Sequence, residues 1–132
     1  MSKFKKRITK MSGKGGDALV IGSAFGYLHE LFDMYNTVFV HDRIHPEIKE
    51  RNLVFKSEIR SIVQLSTVKT VFIDIEWINT FNLITPILTR SRPVLIVQGN
   101  DVVPKTETGN LYRNGYRAVA QGGLFHIWKK TE

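Results

Sequence analysis

Apolar residues along this chain fall into short continuous runs, separated by stretches in which they recur at helical spacing. Ala18-Leu19-Val20-Ile21, closed by Gly22, reads as a strand buried on both faces. Tyr27, Leu28, Leu31 and Phe32, with Tyr35 at the margin, then follow a helical period, and Thr37-Val38-Phe39-Val40 is a β-branched and aromatic strand ending at His41-Asp42. Pro46 suits a first helical turn and predicts a helix over Glu47 to Asn52, followed by a short strand at Leu53-Val54-Phe55. Ile59, Ile62, Val63 and Leu65 fit another helix. Thr70 to Ile75 is the clearest strand, Trp77 to Thr89 reads as a helix limited or kinked by Pro86, and Pro93 to Val97 is a fifth strand. A loop is expected over Asn100 to Asn114. Tyr116 to Gln121 and Leu124 to Lys129 are β-prone runs separated by Gly122-Gly123, a turn suited to an antiparallel hairpin. The pattern predicts an α/β fold, a doubly wound and mostly parallel sheet with a C-terminal antiparallel hairpin.

A chain of 132 residues allows one domain with an ordinary core. There are no cysteines, which excludes a disulfide framework, a thiolate zinc site and a cysteine nucleophile. No apolar run approaches the ~20 residues of a membrane helix and no signal-peptide core follows Met1, so a soluble, unprocessed, cytoplasmic protein without a membrane partner is expected.

Net charge is +7, and its distribution changes the picture. Residues 1–16 hold Lys3, Lys5, Lys6, Arg7, Lys10 and Lys14 with no acid, whereas the other 116 residues carry 13 basic and 12 acidic side chains. The reading is a basic extension over 1–16 and a single, nearly neutral domain over 17–132. Such an extension can grip the phosphates of a nucleic acid. It can equally be a solvated terminus, or a short amphipathic helix using Phe4, Ile8 and Met11.

Ligands of such a sheet bind at the carboxyl ends of its strands, beside the first strand. Gly22-Ser23-Ala24-Phe25-Gly26 follows that strand and opens a helix, so the backbone can approach a ligand closely and offer free N–H groups. Asp42 stands 20 residues beyond Gly22, where a carboxylate can accept hydrogen bonds from both hydroxyls of a ribose. Together they predict a nucleoside-containing cofactor; the competing reading is a tight turn plus an acid that caps a helix.

From Asp17 to Lys130 the chain resembles the S-adenosylmethionine-dependent methyltransferases of the Rossmann-like class, whose fold is a three-layer α/β/α sandwich. Residues 18–26 resemble that family's first motif, and His41-Asp42 its ribose-binding acid. Asn52 to Ile59 resembles the third strand, which makes Glu58 the acid facing the adenine amino group; Val71 to Glu76 resembles the fourth, which puts Asp74 near the methionine part of the cofactor and the methyl acceptor. Within the class, Ile73 to Glu76, Arg92 to Val97 and Gly115-Tyr116-Arg117 are most similar to FkbM-type methyltransferases. The resemblance implies S-adenosylmethionine as cofactor, with Gly22, Ser23, Ala24, Phe25, Gly26, Asp42, Glu58 and Asp74 as its binding residues.

The departures bear on the chemistry. Val20 stands where many members carry an acid, and Ala24 replaces the middle glycine of the motif. No Asn/Asp-Pro-Pro-aromatic motif follows the fourth strand, which disfavours methylation of an amino group on adenine or glutamine. What remains is O-methylation of a small or carbohydrate-like acceptor, which leads, or N-methylation of an already nucleophilic amine; Asp74 and Glu76 are the candidate catalytic pair, because a hydroxyl needs a general base or a metal. Both residues also have plain readings, as a helix cap and as a solvated side chain. Magnesium on Asp74, Asn100 and Asp101 would resemble catechol-type enzymes, but the Asn-Asp order is reversed and no metal is expected. His41 and His45 read as loop surface, His29 as exposed, Trp77 as a core-edge aromatic able to stack on a ligand, and Trp128 as buried in the hairpin.

So short a chain leaves little for an acceptor pocket, so a homodimer is expected. Two other readings stand beside the enzyme: a methyltransferase-like module that binds cofactor or a partner without transferring methyl, and a nicotinamide-dinucleotide domain, which would lack GxGxxG and leave the hairpin unexplained.

Overall fold

The computed structural model describes residues 6, 9–10, 15–22, 28–43, 47–77, 84–98, 105–122 and 125–130. Seven strands form one sheet: β1 (Asp17–Ile21), β2 (Thr37–His41), β3 (Leu53–Phe55), β4 (Val68–Asp74), β5 (Val94–Gln98), β6 (Tyr116–Gly122) and β7 (Phe125–Lys130). Their order is β3-β2-β1-β4-β5-β7-β6. The first five are parallel, and β7 runs antiparallel to both β5 and β6.

Alternation along the central strands divides the core in two. Leu19 and Ile21, Val71 and Ile73, and Leu95 and Val97 face one side, where they meet Ile62 of α1 (Ile59–Ile62), Ile87 and Leu88 of α2 (Thr85–Arg90) and Leu111 of α3 (Lys105–Arg113). Ala18 and Val20, Phe72, and Val94 and Ile96 face the other side, under Leu31, Phe32, Met34 and Tyr35. Three layers result, and burial on both faces is why the central strands read as continuous apolar runs. Tyr116 closes the hairpin end: it is fully buried, and its hydroxyl donates to the Pro93 carbonyl oxygen at 2.7 Å. Burial pushes that hydroxyl's pKa above the usual tyrosine range, against a smaller opposing pull from Arg92.

The expected alternation of strands and helices holds, with local corrections. Leu28–Glu30 is a 3-10 turn continued by further turns, not an α-helix, and the Met34 N–H donates to the Leu31 carbonyl at 3.0 Å. Glu47 to Asn52 forms bends and turns. Four of those six residues are charged and only Ile48 is apolar, so no stripe exists whose burial could hold so short a helix. Instead the Asn52 amide donates to the carbonyls of Phe32 and Tyr35, at 2.7 and 3.1 Å, tying this segment to the layer above the sheet. Trp77 lies in a turn directly after β4, and Pro86 sits in the first turn of α2, so proline starts that helix and does not kink it. The expected loop before the hairpin contains α3. The hairpin itself is displaced by one residue, since β6 extends through Gly122, which pairs with Phe125.

Of the basic extension, Lys6, Thr9 and Lys10 are described and helical; the rest, with Phe4, Ile8 and Met11, lies outside the described residues. Among the described residues no helix is long and apolar enough to cross a membrane.

Candidate functional site

The carboxyl ends of β1, β2 and β4 lie side by side, because β1 pairs with both of the others. Chain order reverses on either side of β1: the sequence runs outward through β2 and β3, then returns to β4. This is the switch point at which a doubly wound sheet opens a crevice.

Gly22 leaves β1 with φ +86, a left-handed conformation that side chains resist. Its N–H donates to the His41 carbonyl at 2.8 Å, which ties the end of β1 to the end of β2. A Cβ at this position would lie 2.8 Å from Trp77 Cδ1, 3.0 Å from Trp77 Nε1 and 3.1 Å from Asp74 Cβ. Glycine is therefore required by both conformation and space, and the indole packs directly on the end of β1.

His41, expected on a loop surface, is the last residue of β2 and is buried. Its Nδ1 lies 2.7 Å from the Lys56 carbonyl oxygen. A carbonyl only accepts, so Nδ1 carries a proton in this contact. The imidazole meets Trp77 edge to face at 5.6 Å, and the Arg43 guanidinium lies 5.2 Å from the Trp77 ring centroid. Burial of His41 follows from the strand that flanks β2, a partner that the residues around position 41 do not reveal.

The acids occupy different settings. Asp42 is half-buried just past β2, and its Oδ1 accepts from the Arg43 N–H at 2.7 Å. Asp74 ends β4, half-buried, and its Oδ1 accepts from the Glu76 N–H at 3.2 Å. Glu76 is exposed. Glu58 is the N-cap residue of α1, with its side chain on the surface and paired with Arg60 Nε at 2.6 Å. Ser23, Ala24, Phe25 and Gly26 lie outside the described residues, as do His45, Asn100 and Asp101.

Two residues join the site that the sequence did not single out for chemistry. Arg43 follows Asp42 and stacks on Trp77. Gln98 pairs with Asp74 at the ends of β5 and β4, and its Oε1 is buried without a hydrogen-bond partner among the described residues. An uncompensated buried acceptor is costly and is satisfied when a donor arrives. Among the described residues no group of three or more histidines or acids is placed to hold a metal ion.

No protein-family model and no curated protein matches the chain. Solved structures do. A protein of Sulfolobus solfataricus described as a type 11 methyltransferase superposes with a TM-score of 0.67 and 9% identity, over 98% of this chain and 94% of its own. The magnesium protoporphyrin IX methyltransferase of Synechocystis, solved with bound S-adenosylmethionine, gives 0.65 and 13%, over 96% of this chain and 76% of its own. The fold is that of the Rossmann-like methyltransferases. A precorrin 8w decarboxylase of Methanobacterium thermoautotrophicum shares it, with a TM-score of 0.61 and 15% identity over 98% of this chain and 90% of its own. One fold thus carries different reactions, and the activity has to be argued from the site.

Proposed function

We propose that this chain binds S-adenosylmethionine and transfers its methyl group to a hydroxyl of a small or carbohydrate-like acceptor, in the manner of FkbM-type methyltransferases. One observation carries the reading. Trp77 and Asp74 both close on Gly22 at the switch point, where the end of β1 lies beside the end of β2 that leads into Asp42. Support for the cofactor comes from the neighbours: the Synechocystis enzyme was solved with S-adenosylmethionine, and a mycinamycin-pathway methyltransferase with S-adenosylhomocysteine. The FkbM-type assignment rests on the sequence of residues 73–76, 92–97 and 115–117 alone.

The described residues fit such a ligand. Gly22 carries no side chain of its own, Asp42 offers an acceptor for the ribose hydroxyls, and Trp77, seated on Gly22, an aromatic surface. Glu58 belongs to the adenine end of the same reading. Val20, where many relatives carry an acid, is fully buried in the core. The amino group of the cofactor therefore relies on carbonyls at the end of β1, on Asp74 and on the unpartnered Oε1 of Gln98.

When bound, S-adenosylmethionine supplies an electrophilic methyl group on a sulfonium. Asp74, held by its bond to the Glu76 N–H, orients the acceptor with the oxygen not used in that bond. Glu76, exposed to water, takes the hydroxyl proton and passes it to solvent. Fixing acceptor and methyl in line supplies most of the rate. The test is release of S-adenosylhomocysteine across a panel of hydroxylated acceptors. Asp74→Asn and Glu76→Gln are expected to lower kcat about 100-fold or more, as loss of a general base does. Wild-type turnover retained in both variants contradicts the assignment.

A second reading is a module that binds the cofactor without transferring methyl. Buried Val20 and the indole seated on Gly22 favour it. Tight binding of S-adenosylhomocysteine with no turnover on any acceptor selects it.

A further inference from the structure

The charges of the domain divide unevenly along the chain. Residues 17–76 carry six basic and nine acidic side chains, a balance of −3, whereas residues 77–132 carry seven basic and three acidic, a balance of +4. A body that sums to near neutrality is thus two halves of opposite sign.

Six of the seven basic residues in the second half gather at one end of the sheet. Arg90 closes α2 and Arg92 precedes β5; Arg113 closes α3, Arg117 is near the start of β6, and Lys129 and Lys130 end β7. Because β7 is antiparallel to β5 and β6, the starts of those two strands and the end of β7 lie together, opposite the carboxyl ends that hold Gly22 and Asp74. All but half-buried Lys130 are exposed. None of the six forms a salt bridge among the described residues. Their hydrogen bonds run to neutral acceptors: Arg90 to the carbonyls of Val63 and Leu65, Arg113 to the Asn110 side chain, Arg117 to the carbonyls of Tyr112 and Tyr116, and Lys130 to that of Leu88.

Two further observations point to an anionic partner. Arg117 and Lys129 are directly opposed across β6 and β7, an unfavourable pairing of like charges that a shared anion relieves. Beside them Tyr112 is 47% exposed, with the Arg117 guanidinium 4.9 Å from its ring and the buried Trp128 indole edge-on at 5.9 Å. We propose that this end of the sheet docks a single-stranded nucleic acid, its phosphates on Arg113, Arg117 and Lys129 and a base stacked at Tyr112. Four of the six cations are arginines, whose planar forks match phosphate. Cations around an aromatic platform are the means by which single strands are held. A lipid surface fits less well: the other exposed large apolar side chains among the described residues, Val54 and Val119, lie on the two opposite edge strands. The surface is independent of the cofactor site at the other end of the strands.

The test is fluorescence anisotropy of labelled oligouridylate and oligothymidylate with the full chain at stepped salt. Combining Arg113→Gln, Arg117→Gln and Lys129→Gln is expected to weaken binding and to flatten the slope of log K against log salt by about 2, since each lost phosphate contact contributes ~0.7. Should that triple variant melt early, Arg117→Gln alone is read instead, with an expected change of about 0.7. Tyr112→Ala is expected to weaken binding about tenfold while Tyr112→Phe retains it. Unchanged slopes would assign any affinity to the basic extension, which every variant keeps, and would overturn the proposal. So would binding to phosphatidylserine vesicles, or salt-sensitive self-association, without binding to either oligonucleotide.

Discussion

The indole of Trp77 fills the space that a side chain at residue 22 would need, with Cδ1 2.8 Å from the position of a Cβ on Gly22. The strongest sequence signal for a ligand and the aromatic residue after β4 are thus one structural unit. Gly22→Ala is expected to cost about 1–2 kcal/mol for the left-handed backbone, and about 1–3 kcal/mol more for the clash. Denaturant unfolding of Gly22→Ala, Trp77→Ala and the double variant separates the two. The backbone part and the approach to Asp74 Cβ survive removal of the indole, and the clash with the indole vanishes, so the double variant is less destabilised than the sum. Strict additivity contradicts the packing described.

Asp42→Ala is expected to weaken S-adenosylhomocysteine binding by about 1.5–3 kcal/mol, the worth of hydrogen bonds to a charged acceptor. Calorimetric titration of the variant checks this. Equal affinities in wild type and variant would move the ribose elsewhere.

His41→Ala removes the group that pairs with the Lys56 carbonyl oxygen and takes a buried ring from beside Trp77. A loss of about 1–3 kcal/mol is expected for the unpaired carbonyl, read by urea unfolding. Had His41 stood on a loop surface, the loss would fall within about 0.5 kcal/mol.

Stability also depends on Tyr116. Its hydroxyl holds its proton in the folded chain beyond the pH at which an unfolded tyrosine, with a pKa of about 10, releases it. The unfolded chain then binds fewer protons, so this group's contribution is fully present below pH ~10 and is lost as pH rises above it, by up to ~1.4 kcal/mol per pH unit. Unfolding free energies of wild type and Tyr116→Phe at stepped alkaline pH should converge, with the variant less stable at neutral pH through loss of the bond to Pro93. A constant gap across that range contradicts the burial of the hydroxyl.

Much of the fold was legible because buried parallel strands leave unbroken apolar runs. Ala18 to Ile21, Val71 to Ile73 and Val94 to Val97 announce themselves, and their order with the hairpin implied the sheet. The helix Lys105–Arg113 did not, since Thr106, Thr108 and Gly109 are poor helix formers and only Leu111 of its described side chains is fully buried. Pro104 before it and Gly115 after it, the latter at φ +85, were the readable signals. Near the switch point, Gly22 and Asp42 were read from position relative to the strands, and Asp74 from the resemblance of residues 71–76 to a family strand. Arg43 and Gln98 were not, because their roles depend on Trp77 and Asp74, which are distant in sequence. The cationic end of the sheet was hidden for a similar reason: Arg90, Arg92, Arg113, Arg117, Lys129 and Lys130 are spread along the sequence and meet only because β7 returns antiparallel to β5 and β6.

The central claim is that the switch point beside Gly22 takes a methionine-derived nucleoside. Calorimetric titration of the purified full chain with S-adenosylmethionine, S-adenosylhomocysteine and NAD in parallel tests it most directly. Saturable binding of the first two, with no heat from NAD, is the predicted result; binding of NAD alone, or of none of the three, contradicts it.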